Sequence, residues 1–132
     1  MKKQSRKRIE DVIQKQLVAF IRQDYPEVQI TRIKNESFDI GKNSKQNMID
    51  AVNEKKMGRA EAGRPDLEFQ YTRNNLTYIL LIELKTINGD LSPAQIEWWA
   101  KFKPTQNKQG YVANGLLQAR EIFINWYNEI NT

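Results

Sequence analysis

The segment from Leu67 to Ile82, with Asn74-Asn75 at its midpoint, constrains this chain more than any other. Asparagine tolerates positive φ, so the Asn-Asn pair closes a tight two-residue turn and predicts a β-hairpin. A turn closed there pairs Arg73 with Leu76. Counted outward in the same register, Asp66 falls opposite Glu83. Cross-strand neighbours have Cβ atoms roughly 4.5–5.5 Å apart, and like charges so placed destabilise a sheet. A divalent cation is the natural offset to that repulsion. Lys85 follows Glu83 by two residues, so strand alternation puts it on the same face.

Composition narrows what such a face can do. The chain has 132 residues, no cysteine and no histidine. Thiolate zinc sites, cysteine nucleophiles, Ser-His triads and histidine metal sites are therefore excluded. A metal would have to sit among oxygen ligands, which suit Mg²⁺, Mn²⁺ or Ca²⁺. A general base would be a carboxylate, a lysine, a tyrosine or water. Two acids and a lysine on one strand face thus point to metal-assisted phosphodiester cleavage. The length fits one domain with one core, formed without disulfides.

Charge is unevenly spread. Lys2, Lys3, Arg6, Lys7 and Arg8 precede the first acid, Glu10, and match the whole formal net charge of +5. A basic arm over residues 1–8 on a neutral body, residues 9–132, reads as a polyanion contact; the alternative is a solvated terminus. The longest apolar stretch, Tyr78 to Ile82, is too short to span a membrane. The N-terminal charges are not followed by the apolar run of a signal peptide. The expectation is a soluble, cytoplasmic protein without a membrane partner.

Hydrophobic spacing predicts a helix from residue 8 to about 23, carrying Ile9, Ile13, Leu17, Phe20 and Ile21 inward. Tyr25-Pro26 ends it, because the residue before proline disfavours the helical region. Residues 28–33 predict a short strand, 34–44 a loop, 45–57 a second helix and 58–64 an exposed loop. The apolar run at Tyr78–Ile82 suits a strand buried on both faces. Ser92-Pro93-Ala94-Gln95 opens a helix, with Ser92 as N-cap, Pro93 at the first helical position and Gln95 closing a capping box. That helix carries Ile96, Trp98, Trp99 and Phe102 and stops near Pro104. Residues 110–113 predict another strand, and 116–130 a last helix with Leu117, Ile122, Phe123, Trp126, Tyr127 and Ile130. The fold class is α/β (α+β), a mixed sheet flanked by helices.

Glu83 and Lys85 end a strand that is otherwise hydrocarbon, where charge is costly unless paired or functional. Glu10 borders the buried stripe of the first helix and can join them; alternatively it is an acid favoured by the helix dipole. Pro65-Asp66 with Glu83-Leu84-Lys85 resembles the PD-(D/E)XK nuclease superfamily, of restriction-endonuclease-like fold. Glu10-x-x-Ile13-Gln14, Lys34-Asn35-Glu36, Gly63-x-Pro65-Asp66-Leu67 and Gly89-x-Leu91-Ser92-Pro93-x-Gln95-x-x-Trp98 extend the likeness to the VRR-NUC family. Small stand-alone members occur in phages and bacteria. The cytoplasm in question is a host's if the chain is phage-encoded.

The resemblance implies a role for each matching residue. Asp66 and Glu83 would be the principal ligands of Mg²⁺ or Mn²⁺, with the Leu84 carbonyl in the inner shell. Glu10 would contribute directly or through water. Lys85 would position or deprotonate the attacking water. Gln95 would orient Lys85 or that water, although its capping role is a sufficient account of it. Arg59 and Arg64 would contact phosphates or merely solvate their loop. Trp98 and Trp99 would stack on bases or fill the core. The implied activity is structure-specific cleavage of branched DNA by a homodimer similar to Holliday-junction resolvases. Alternatives are a flap-type or general DNA nuclease with the same site, and a non-cleaving DNA-binding module.

Overall fold

The computed structural model describes residues 6–33 and 62–132, excluding the side chains of residues 6 and 7. The loops and helix expected between residues 34 and 61, and Arg59 with them, lie outside the described residues. Three helices and four strands follow in the order α1 (Arg6–Asp24), β1 (Gln29–Arg32), β2 (Leu67–Arg73), β3 (Leu76–Lys85), α2 (Pro93–Lys101), β4 (Lys108–Asn114) and α3 (Leu116–Ile130). The sheet order is β1-β2-β3-β4. The pairs β1–β2 and β2–β3 are antiparallel, and β3–β4 is parallel. This is a mixed sheet in an α+β fold.

The hairpin has the expected register. Arg73 pairs with Leu76 and Leu67 with Ile82. Asn74 and Asn75 both take positive φ, at 53° and 67°. Two successive left-handed residues make the turn whose twist matches the strands it joins. The parallel partner β4 cannot be reached by a tight turn, so α2 supplies the crossover. β4 runs farther than residues 110–113, because its backbone pairing with β3 carries the ladder through Lys108, Gln109 and Asn114, which bear no apolar signal.

The core lies between the sheet and the pair α1 and α3. Leu17, Val18 and Ile21 of α1 and Ala119, Phe123 and Trp126 of α3 are buried against Leu67, Phe69, Leu80, Ile82, Leu84 and Ala113. Each fully buried large side chain contributes about 1.5–3 kcal/mol. Along β3 the even positions enter this core, and Leu81, Glu83 and Lys85 alternate to the other face. Leu117 stands 77 % exposed, and Ala119 takes the inward position in that turn. α2 has no fully buried residue. Its Trp99 and Phe102 rest on Gly110, where an added Cβ would lie 2.8 Å from the Trp99 ring. Trp98 stacks on Phe102 with 5.3 Å between centroids.

Candidate active site

Glu83 and Lys85 are the two buried charged residues in the described structure, 1 % and 9 % exposed. Both sit at the C-terminal end of β3, on the face away from the main core. The other groups that meet them arrive from three separate elements.

Asp66 immediately precedes the first ladder pair of the hairpin. Its carbonyl accepts a hydrogen bond from Ile33 N–H at 2.7 Å, which fixes the backbone before β2 begins. Pro65 is fully buried beside it. Two residues earlier, Gly63 has φ +83°, and a Cβ there would lie 2.2 Å from the Ala94 carbonyl oxygen and 2.7 Å from Gln95 N. Only glycine allows this approach. The segment carrying Asp66 is thereby seated against the first turn of α2, which carries Gln95. The Gly-x-Pro-Asp pattern was visible in the sequence; the surface its glycine touches was not.

The Gln95 side chain divides its amide between two tasks. Its Oε1 accepts from Ser92 N–H at 2.8 Å, and Ser92 Oγ accepts from Gln95 N–H at 3.3 Å, completing the capping box. Its Nε2 donates to Glu83 Oε2 at 3.0 Å. The expected capping role and a bond to Glu83 are therefore held by one residue at once, and its amide is directed at Glu83 and not at Lys85. Glu10, in the second turn of α1, is half-buried. Its carboxylate accepts from the Thr86 backbone N–H and lies within electrostatic range of Lys85 and Asp66.

The electrostatics of the cluster are unfavourable as it stands. Burial pushes the Glu83 carboxyl up to about 9, helped by the adjacent Asp66 and opposed by Lys85. Asp66 and Glu83 are close enough to share a hydrogen bond if one of them is protonated. When both are ionised neither can donate, and Glu83 Oε1 has no hydrogen-bond donor although it is buried. Burial also raises Glu10, followed by Asp66 and Asp11, while Lys85 and the Thr86 amide lower it. A buried carboxylate oxygen without a partner is expensive. The donor set here is all oxygen with one orphaned lone pair, which fits a hard divalent cation. Among the described residues, no three acids are gathered into a ready-made cation cage. Glu10 stands apart from the Asp66–Glu83 pair, held by the Thr86 amide.

The basic residues expected to meet nucleic acid are placed differently. α1 begins at Arg6, so the backbone of Arg6, Lys7 and Arg8 is helical. Arg8 is exposed two residues before Glu10. Lys2 and Lys3 lie outside the described residues. Arg64 is half-buried, with Nη2 3.4 Å from Glu68 Oε1, and Gln70 Nε2 donates to the other oxygen of that carboxylate at 2.7 Å. Arg64 thus pairs with a carboxylate on β2, a contact that loop composition did not foretell.

A family model described as the VRR-NUC domain matches residues 2–115. No curated protein and no solved structure matches the chain.

Proposed function

This chain belongs to the VRR-NUC family and so carries a nuclease domain acting on DNA, and from that premise we propose that it is a divalent-metal-dependent endonuclease cutting branched DNA. One observation carries the reading. Asp66 and Glu83 are forced together at a strand end, and the buried Glu83 Oε1 has no donor. A cation supplies what that oxygen lacks.

Asp66 and Glu83 would hold Mg²⁺ or Mn²⁺ with the Leu84 carbonyl, and Glu10 would reach it through water. Bound there, the ion would lower the pKa of its water and polarise the phosphoryl oxygen. Lys85 would place its ammonium against the attacking water and offset charge developing on the phosphate. Gln95 holds Glu83 Oε2, so that the second oxygen is presented in one orientation. Lys2, Lys3, Arg6, Lys7 and Arg8 would draw the phosphate backbone to the start of α1, beside Glu10. Each phosphate neutralised lowers log K by about 0.9 per decade of salt. A homodimer with twofold symmetry would present two such sites, matching the paired cuts that resolve a four-way junction.

Cleavage of a four-way junction, a flap, a plain duplex and a single strand, in Mg²⁺, Mn²⁺ or EDTA, tests this. Paired symmetric nicks confined to the junction, abolished by EDTA and by Glu83→Gln, are the expected result. Cutting of flaps or of every substrate would keep the nuclease and discard the resolvase. Undiminished cutting in EDTA would remove the metal assignment.

A further inference from the structure

Leu67 and Phe69 of β2 point into the main core, both fully buried, so Glu68 and Gln70 stand on the opposite face of the sheet. Glu68 pairs with Leu81, and Leu81, Glu83 and Lys85 alternate along that same face. Glu83 is thus the diagonal cross-strand neighbour of Glu68, at about 7–8 Å. A carboxylate here joins a face that already carries the repulsion between Asp66 and Glu83. Packing alone would be served by a neutral side chain, so the acid calls for a reason.

Its contacts supply one. Gln70 Nε2 donates to Glu68 Oε2 at 2.7 Å. Arg64 Nη2 reaches Glu68 Oε1 at 3.4 Å. Charge-assisted N–H···O bonds run about 2.7–2.9 Å, so the firm bond is to Gln70 and the loose one to Arg64. Glu68 is anchored from its own strand, and its grip on the arginine is one that a phosphate can share. Arg64 stands two residues before Asp66, and its neighbour Gly63 is seated against Ala94. The arginine is therefore fixed at its backbone by that seat and at its guanidinium by Glu68. Lys85 is buried, whereas the Arg64 side chain is 29 % exposed, so a DNA strand approaching this face meets the arginine first.

Resting on the reading of Asp66 and Glu83 as the cutting site, we propose that Glu68 is a positioning residue. It holds the Arg64 guanidinium over the cutting face, where Arg64 binds a phosphate of the DNA strand near the cut. A guanidinium presents its N–H donors as a planar fork that fits two phosphate oxygens. Holding that fork in place beforehand removes part of the side-chain entropy lost on binding. Glu68 touches neither the DNA nor the metal and acts through Arg64 alone. An acid on the DNA-facing surface thereby strengthens DNA binding, the opposite of what its bare charge would do.

The test uses the full chain carrying Glu83→Gln, in EDTA, so that DNA is bound without being cut. Fluorescence anisotropy follows a set of flap DNAs, each with one neutral methylphosphonate at a different phosphate near the branch. Arg64→Ala is expected to bind the unmodified flap about tenfold more weakly. It should lose nothing further on the one DNA whose contacted phosphate is neutral. Glu68→Ala should bind about threefold more weakly, the worth of one exposed ion pair, and should have no effect once Arg64 is alanine. Glu68→Thr, a good strand former too short to reach Arg64, serves if the alanine variant unfolds. Unchanged or tighter binding by the Glu68 variant would overturn the proposal, since the acid would then only repel DNA or play no part. So would an Arg64→Ala variant that binds as its parent does, an Arg64→Ala loss that is the same on every DNA, or a Glu68 effect that persists without Arg64. Cleavage by the unmutated chain in Mg²⁺ judges the cutting site separately, so the two readings can fail independently.

Discussion

The two ends of the sheet are built on opposite terms. At the hairpin end, where α1 and α3 finish, aromatic rings from several elements meet. Tyr25 packs edge-on to Phe123 and Tyr127 at 5.0 and 4.7 Å between centroids, and Tyr71 leans on Tyr127 at 4.8 Å. Three polar tips there have partners. Tyr127 donates to Glu27, Tyr71 to Asn131 Oδ1 at 3.1 Å, and Arg73 Nη1 to the Ile130 carbonyl at 2.8 Å. At the other end two acids crowd together and a buried oxygen is left over. One end satisfies its groups and holds the fold. The other leaves a group unsatisfied in a way that a ligand can satisfy, which is the usual relation between stability and a functional site.

Glu83→Gln separates the two ends most sharply. Cleavage should fall to the level seen in EDTA, while the metal-free protein becomes about 1–2 kcal/mol more stable at neutral pH. The sign follows from the raised carboxyl. Between its ordinary 4.5 and about 9, Glu83 is protonated when folded and ionised when unfolded. The native state then binds the extra proton, so stability falls as pH rises through that window. Urea titrations of both proteins in EDTA should converge near pH 4.5 and separate above it. A glutamine variant less stable than the parent at pH 7 would reverse the contrast.

Phe123→Ala strikes the satisfied end. Phe123 is fully buried against Phe69, Tyr25 and Trp126. Its truncation should cost about 3–5 kcal/mol, with turnover per folded molecule unchanged. A turnover loss beyond the unfolded fraction would show that the ends communicate.

Gln95→Glu has a smaller effect, confined to the site. Glutamate can still accept from Ser92 N–H, so the helix cap survives in circular dichroism. It cannot donate to Glu83 Oε2 and adds a further carboxylate to the cluster. Cleavage should fall about 10–100-fold. Unchanged cleavage would show that only the capping half of Gln95 matters. Smallest is Tyr127→Phe, which removes the bond to Glu27 that raises the phenol's pKa, ahead of burial and Tyr71. Half-exposed as it is, it should cost no more than about 1 kcal/mol in denaturant titration, without effect on cleavage.

Local chemistry is what the sequence made readable. The Asn74-Asn75 turn, the Ser92-Pro93 cap and the span of α3 depend on neighbours within a few residues, and the structure has them as expected. The placement of Asp66 near Glu83 follows from the turn alone. Contacts between distant segments were not readable in this way. Nothing near Gly63 announces that its backbone touches Ala94, and nothing near Arg64 names Glu68 ahead of a phosphate. Helical periodicity marks a stripe and not its edges, so nothing local separates exposed Leu117 from buried Phe123.

The divided amide of Gln95 has a consequence in time. α2 has nine residues and no fully buried side chain, so its first turn opens without global unfolding. When that turn opens, Glu83 loses its donor at the same moment. Whatever binds Glu83 therefore slows the fraying of α2, and hydrogen exchange at the Ile96 amide, bonded to Ser92 O at 2.9 Å, becomes a clock for occupancy of a site it does not touch.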